Sequence, residues 1–392
     1  MLQLFQNTVG TSSDVDDGQE TLARVQRLIV LSGLSWDYKK SGGKCNISSV
    51  AACIYSSAIC MVYILLLIQT IPYYVTADSF TDTCVAILGS TVIVLSLIYW
   101  ALSTNIHSKI RAFSQCLHEA RLRFKSPVPN PLLKKRVVKA CLCLRFLAAF
   151  SFAASGINVA ILTDAHSEYY WPVIVLSAVY GGCNILLYHS ILLLFLSISL
   201  LLTYEYDVCT QRLVQASEGS VKEEEIEDIR DHHALLTDLV DHVCSFISIH
   251  VTVAYLSSVL ILCFCLYIII NGALLFQNIG AAAYVVYYST LNLITLTYLG
   301  IRLHEAAHRP LNILHDLAGR KMSERVIGLV TLFANKLSQR QIGISASGLV
   351  TITKDTVLTV IGTLLTYVFF VIQFKPEAGL RQNADSTAGC LH

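Results

Sequence analysis

Charge is scarce in this chain. Asp, Glu, Lys and Arg make up 14% of its 392 residues, where a soluble domain carries about 25%. The net charge of +1 removes the electrostatic footprint expected of a nucleic-acid binder. Proline is also scarce, with seven residues. Three of them, Pro127, Pro129 and Pro131, fall together and break one segment between two helical pieces. A disulfide framework is missing. Most of the 13 cysteines lie in apolar stretches or among basic residues, so they read as buried thiols; only Cys84 and Cys390 fall elsewhere. What is abundant is apolar: 54% of the residues are hydrophobic, the composition of a membrane protein.

Seven apolar stretches are long enough to span a bilayer, which takes roughly 20 residues. They run over 47–73, 84–104, 140–163, 172–203, 243–271, 279–300 and 355–374. The fourth and fifth are long enough to extend past the bilayer as helices. The acidic run Glu223–Asp231 leads into 226–243, which has apolar residues three and four apart and continues the helical pattern into the fifth span. Met1–Glu20, rich in Ser, Asp and Gly, has the composition of a disordered segment.

Basic residues fix an expected orientation. The N-terminal segment and the loops after spans two, four and six hold 25 Lys and Arg, the three intervening loops none, and the tail two, Lys375 and Arg381. Arg145, near the end of span three, can snorkel to the basic side. The N-terminus is therefore expected in the cytoplasm and the C-terminus outside. Asn46-Ile47-Ser48, a glycosylation sequon, falls on the cytoplasmic side and is expected to be unmodified. His107, His118, His232, His233 and His242 read as cytoplasmic surface residues.

One motif suggests a metal. His304-Glu305-Ala306-Ala307-His308 satisfies H-E-x-x-H, which on a helix sets two imidazoles one turn apart with a glutamate as general base. An intramembrane zinc protease is the function it would imply. Zinc needs a third protein ligand, and the extended motif finds Leu314 where a His is required and Leu311 where a Gly is required. Pro310 ends the helix just beyond the pair. No span has a carboxylate at its centre, which argues against a coupled transporter.

The seventh span ends Thr366-Tyr367, five apolar residues, Gln373-Phe374. This resembles the C-terminal motif of the insect gustatory receptors. Gly348 and the segment after it resemble that family's turn before its last helix. Glu305-Ala306, Arg309 and "LNILHDL" resemble its run after helix six, and "DHHALLTDLVDHVCSFIS" its segment feeding helix five. The motifs cover residues 230–375; the topology covers the whole chain. Insect odorant receptors share the architecture without that C-terminal motif.

The resemblance implies an all-α membrane protein of the insect chemoreceptor-channel type, with seven transmembrane helices. It implies a tastant-gated, non-selective cation channel, a homo- or heterotetramer with other gustatory receptors, in the dendritic membrane of a gustatory neuron. No enzyme activity and no cofactor are implied. The expected organisation is a cytoplasmic segment at 1–45, helices one to six with an outward-facing ligand pocket at 46–300, a cytoplasmic inter-subunit segment at 301–354, a pore helix at 355–374 and an extracellular tail at 375–392. Gln373 and Phe374 would form the gate, with Thr366 and Tyr367 beside it. Lys375 would then put a positive charge at the mouth. An apolar constriction can close a pore by dewetting. Pocket candidates, chosen as aromatic and amide groups on helices other than the seventh, are Asn158, Tyr180, Tyr267, Tyr284, Tyr287 and Tyr288. The family's main sugar branch has an acidic residue where this chain has Val368, so the ligand reads as a bitter or otherwise aversive compound, with a fructose-type sugar receptor as the alternative.

Overall fold

The computed structural model describes residues 47–75, 80–103, 106–126, 170–219, 221–270, 279–348 and 350–373, with 139, 142, 143 and 146. The N-terminal segment with Asn46, the three prolines near 129, nearly all of the third span with Asn158, and residues 374–392 with Phe374 and Lys375 lie outside the described residues.

The elements in chain order are α1 (Ile47–Val75), α2 (Phe80–Ser103), α3 (Ile106–Phe124), α4 (Tyr170–Glu218), α5 (Glu223–Ile270), α6 (Ile279–His308), α7 (Pro310–Ala318), α8 (Glu324–Gln339), the hairpin β1 (Ser345–Ala346) and β2 (Val350–Thr351), and α9 (Lys354–Gln373). Six of the seven expected spans are thus helices among the described residues, which are all-α apart from one small hairpin.

α4 and α5 organise the molecule. They have 49 and 48 residues, about 70 Å each at 1.5 Å per residue, more than twice the roughly 30 Å of a hydrocarbon core. Their apolar halves pack with α1, α2 and α6 into a bundle. Their polar halves continue into a base, where α3, α7 and α8 pack on them. α3 shows why it lies there. It buries Ile110, Phe113, Leu117, Ala120 and Phe124, spaced three and four apart, while Lys109, Arg111 and Arg123 on other faces are exposed. That is an amphipathic helix rather than a span.

Arg121 sits beside that apolar stripe. Its Nε donates to Glu205 Oε1 of α4 at 2.6 Å, and both side chains are buried, 7% and 1% exposed. The guanidinium of Arg212 donates to the carbonyl of Phe124, which satisfies an otherwise open acceptor at the end of α3.

Two histidines depart from the sequence expectation. His232 and His233 are not on the surface; both are buried. The reason lies in the register of α5. Ile226, Ile229, His233, Leu236, Val240 and Val243 follow one helical stripe into the core. His233 Nε2 donates to the Ala307 carbonyl at 2.9 Å, while His232 stacks on Phe124 with ring centroids 4.4 Å apart.

α6 continues past the expected end of the sixth span to His308. The break at Arg309 comes where Pro310 opens α7 as its first residue, a position that suits proline's missing N–H. α7 then buries Leu314 and Leu317. α8 is capped by Ser323, whose hydroxyl accepts from Val326 N, and buries Val330, Phe333 and Leu337. The hairpin follows, with Ser345 opposite Thr351 and Ala346 opposite Val350. Gly348 has φ +73, a left-handed turn conformation that glycine adopts without cost.

Candidate functional site

Three features bear on function: a cavity inside the bundle, the histidine motif at the end of α6, and the exposed stripe of α9.

The cavity lies where α2, α4, α5 and α6 converge with the start of α3. Its walls include Tyr99, Tyr188, Phe195, His250, Tyr288 and Asn292. It offers about 20 Å³ of room for the centre of a water-sized sphere, enough for one or two waters. The rings are locked together. Tyr99 meets Tyr188 edge-on with centroids 5.1 Å apart, and Tyr188 meets Tyr288 at 5.2 Å. His189 packs on the same Tyr288 at 5.2 Å. Polar atoms are tied in as well. The Tyr188 and Ser96 hydroxyls are hydrogen-bonded at 3.1 Å, Asn292 Nδ2 donates to Ser258 Oγ at 3.4 Å, and His250 Nδ1 donates to the Phe246 carbonyl at 3.0 Å. The space is therefore lined by aliphatic side chains such as Ile191, Ile247 and Leu296 together with aromatic faces and a few fixed hydrogen-bonding groups, the composition of a small-molecule site.

Of the pocket candidates read from sequence, Tyr288 lines this cavity. Tyr287, its neighbour, points away from it and is exposed at 58%. Tyr267 lies near the far end of α5 and is partly buried. Tyr180 and Tyr284 lie on α4 and α6, with side chains outside the described set. The sequence reading did not select Tyr99, Tyr188, His250 or Asn292. Tyr99 and Asn292 are 193 positions apart, and no local pattern joins them.

The H-E-x-x-H motif is helical as expected, with the two imidazole centroids 4.3 Å apart. Three of its four ring nitrogens face carbonyl oxygens. His308 Nδ1 faces the His304 carbonyl at 2.9 Å and His308 Nε2 the Arg340 carbonyl at 3.0 Å. His304 Nδ1 donates to the Ile342 carbonyl at 2.8 Å. A nitrogen that gives its proton to a carbonyl has no lone pair for a metal; His304 Nε2, which faces none of these carbonyls, keeps one, and a single nitrogen is short of the three protein ligands that zinc needs. Burial against this strand of chain also holds the His304 ring below the usual imidazole range. The pair pins residues 340–342, just before the hairpin, to the end of α6. Glu305 reaches the first residue of α9, with Oε1 2.6 Å from Lys354 Nζ. Arg309 holds Asp207 of α4 at 2.6 Å. Among the described residues no group of three or more His, Cys, Asp or Glu is placed to share a metal.

α9 packs chiefly on α5 and is otherwise open. Asp355, Thr359, Thr363, Thr366, Phe370 and Gln373 recur at spacings of three and four, so they share one face. All six are exposed. Thr359, Thr363 and Thr366 each donate a hydroxyl proton to the carbonyl four residues back, at 3.0, 2.9 and 2.8 Å. Each oxygen keeps acceptor capacity facing outward. The remaining faces carry exposed Leu358, Ile361, Leu365, Phe369 and Ile372. Tyr367 is partly buried. Phe370 was not among the sequence candidates; counting back three residues from Gln373 finds it.

A bundle with two overlong helices, a polar base and a last helix striped with hydroxyls has the architecture of a multi-pass membrane protein. The family model described as "7tm Chemosensory receptor" matches residues 28–377, and the chain belongs to that family of insect chemosensory receptors, which are of the ligand-gated cation channel type. It is a receptor and not an enzyme. The fold is similar to that of the insect olfactory receptor OR5 from Machilis hrabei. The structure of that receptor in complex with eugenol matches with a TM-score of 0.71 at 15% identity, covering 91% of this chain and 98% of that one. A second structure of the same receptor gives 0.71 at 14% identity, with the same coverage. No curated protein matches the sequence.

Proposed function

We propose that this receptor is gustatory: a homo- or heterotetrameric, non-selective cation channel opened by small aromatic bitter compounds, in the dendritic membrane of a taste neuron. The carrying observation is α9. A single chain leaves both its hydroxyl stripe and its apolar faces uncovered. Copies gathered about an axis would turn the stripe to a water-filled path and the apolar residues to neighbouring helices and lipid. In this reading 1–45 and 301–354 are cytoplasmic, 46–300 is the helical body, 355–374 lines the pore and 375–392 is outside, and the basic asymmetry of the loops supports the orientation.

The ligand class follows from the cavity walls. Aliphatic walls with tyrosine faces and a few hydroxyl and amide groups suit an apolar, ring-bearing molecule with one or two polar groups. A sugar would need a partner for every hydroxyl, since an unmatched buried hydroxyl costs about 1–3 kcal/mol. The cavity as it stands holds little more than water, so a ligand must displace the rings around it, which is how its binding energy can bias a closed–open equilibrium. A second reading, a volatile odorant, draws support from the eugenol bound to the olfactory relative.

The gate belongs to the outer end of α9. Phe370 and Gln373 share the striped face, one turn apart; Phe374 follows next in the motif, and Thr366 and Tyr367 precede it. An aromatic constriction excludes water and closes the path. Phe370→Ala and Phe374→Ala should therefore raise basal current, about tenfold in the open-to-closed ratio for each 1.4 kcal/mol removed from the closed state. Gln373→Ala should change permeation. Tyr288→Ala should shift ligand sensitivity without a leak. Patch-clamp recording at matched surface expression separates these. If all three α9 variants keep the parent's basal current, selectivity and response, the pore assignment is wrong.

A further inference from the structure

The ion pair at the start of α9 has an unusual place for a pair that adds little to stability. Glu305 and Lys354 are 45% and 77% exposed, and exposed pairs of this kind contribute little to folding. Their positions are more telling. Lys354 is the first residue of α9, and Asp355 follows it at the head of the hydroxyl stripe. By helical spacing Lys354 lies away from that stripe, on the side turned to α6. Glu305 is fixed there because α6 is pinned to the following chain on both sides of it, by His304 to Ile342 and by His308 to Arg340. Lys354 also lends Glu305 a hydrogen bond that keeps its carboxyl below the usual range, so the glutamate is ionised at any physiological pH.

We infer that Glu305 is a selectivity-setting residue: it holds the Lys354 ammonium aside and neutralises it, so that Asp355 sets a negative potential at the entrance where α9 begins. The inference rests on α9 lining the conduction path. Per chain, Glu305 (−1), Lys354 (+1) and Asp355 (−1) sum to −1. Removing the Glu305 charge brings the sum to 0 and frees an ammonium to swing over the entrance. Removing the Lys354 charge brings it to −2. Repeated by symmetry about a pore, a unit change per chain at about 10 Å from a passing ion alters the local cation concentration roughly twofold at physiological salt, more at low salt, and little near 1 M.

A pair that served only to hold the two helices together makes a different prediction. Either substitution would break it, and both variants would move in the same direction. The electrostatic role requires opposite directions. The test is single-channel recording from inside-out patches of the full-length channel expressed in heterologous cells, in symmetrical KCl at about 20, 150 and 1000 mM. Glu305→Gln should lower the conductance for K+ entering from the α9 start about twofold at 150 mM and shift the reversal potential in a KCl gradient toward that of chloride. Lys354→Gln should raise that conductance. Both differences should grow at 20 mM and vanish at 1000 mM, and the charge swap Glu305→Lys with Lys354→Glu should move conductance back toward the parent. Changes of the same sign in both variants, or equal conductance and reversal potential at 20 mM, would overturn the inference. Gln373→Ala, recorded alongside, separates the two levels. If it alters permeation while the Glu305 and Lys354 variants do not, only this inference fails; if none of the three does, the pore reading fails with it.

Discussion

Glu205 and Arg121 carry the largest residue-scale consequence. A buried ion pair gains little over a well-packed apolar pair, but losing one partner strands the other charge, at a cost of about 3–5 kcal/mol. Glu205→Ala should therefore lower the melting temperature of the detergent-solubilised protein sharply, and the double replacement by Met should recover most of the loss. A double variant no better than the single would show that the pair acts through some other contact. The histidines give a pH dependence. Burial, with Arg212 and His233 nearby, lowers His232 to about 4. Burial also lowers His233 to about 4, against the opposing pull of its bond to Ala307. Both rings are neutral in the fold and protonate near 6.5 once unfolded, so their contribution is complete above pH 6.5 and is lost as pH falls toward 4. The slope integrates to roughly 3 kcal/mol for each ring. Melting temperature measured from pH 8 to 4.5 should fall less steeply in His232→Phe than in the parent; parallel curves would dismiss the effect. Neither feature was read from the sequence, although a cue for both was present. Arg121 and His233 fall on or beside apolar stripes spaced three and four apart, while the neighbouring basic residues do not.

At the scale of elements, α6 and the chain just after the hairpin meet closely. A Cβ added at Gly300 would lie 2.6 Å from a methyl of Ile352, inside contact distance, so glycine is there for close approach. Gly300→Ala should destabilise by about 1–3 kcal/mol through overpacking, and Ile352→Ala, costly alone, should become milder in its presence. Additive losses in a double-mutant cycle of melting temperatures would show that the two positions do not press on each other. The helices themselves were legible because twenty apolar residues in a row leave few alternatives. The continuation of α5 was legible because its apolar period runs unbroken through the acidic stretch. The reach of α6 to His308 was less so, since Arg302 to His308 is polar on the outside and apolar only at Leu303, Ala306 and Ala307. The cavity was legible in one residue, Tyr288, because its walls come from five helices and only tertiary packing selects which tyrosines meet.

For the whole molecule the proposed orientation has a direct test. A sequon engineered near Asn383 should be glycosylated in cells, and Asn46 should not. Modification at Asn46 would reverse the topology and place the basic base outside, against the charge asymmetry of its loops.

The length of α4 has a mechanical consequence. A straight helix of about 70 Å with some 30 Å in lipid leaves a lever arm of roughly 40 Å. A tilt of about 3° in the membrane, no more than a side chain's worth of rearrangement around Tyr188, sweeps the far tip by about 2 Å, where Arg320 beyond α7 holds it. The same stiffness makes the arm intolerant of phase errors: one residue inserted near Gln215 would rotate everything beyond it by about 100° and detach Arg320 from the Ser217 carbonyl it now grips at 2.6 Å, whereas seven residues, two near-complete turns, would restore the bearing and change only the reach.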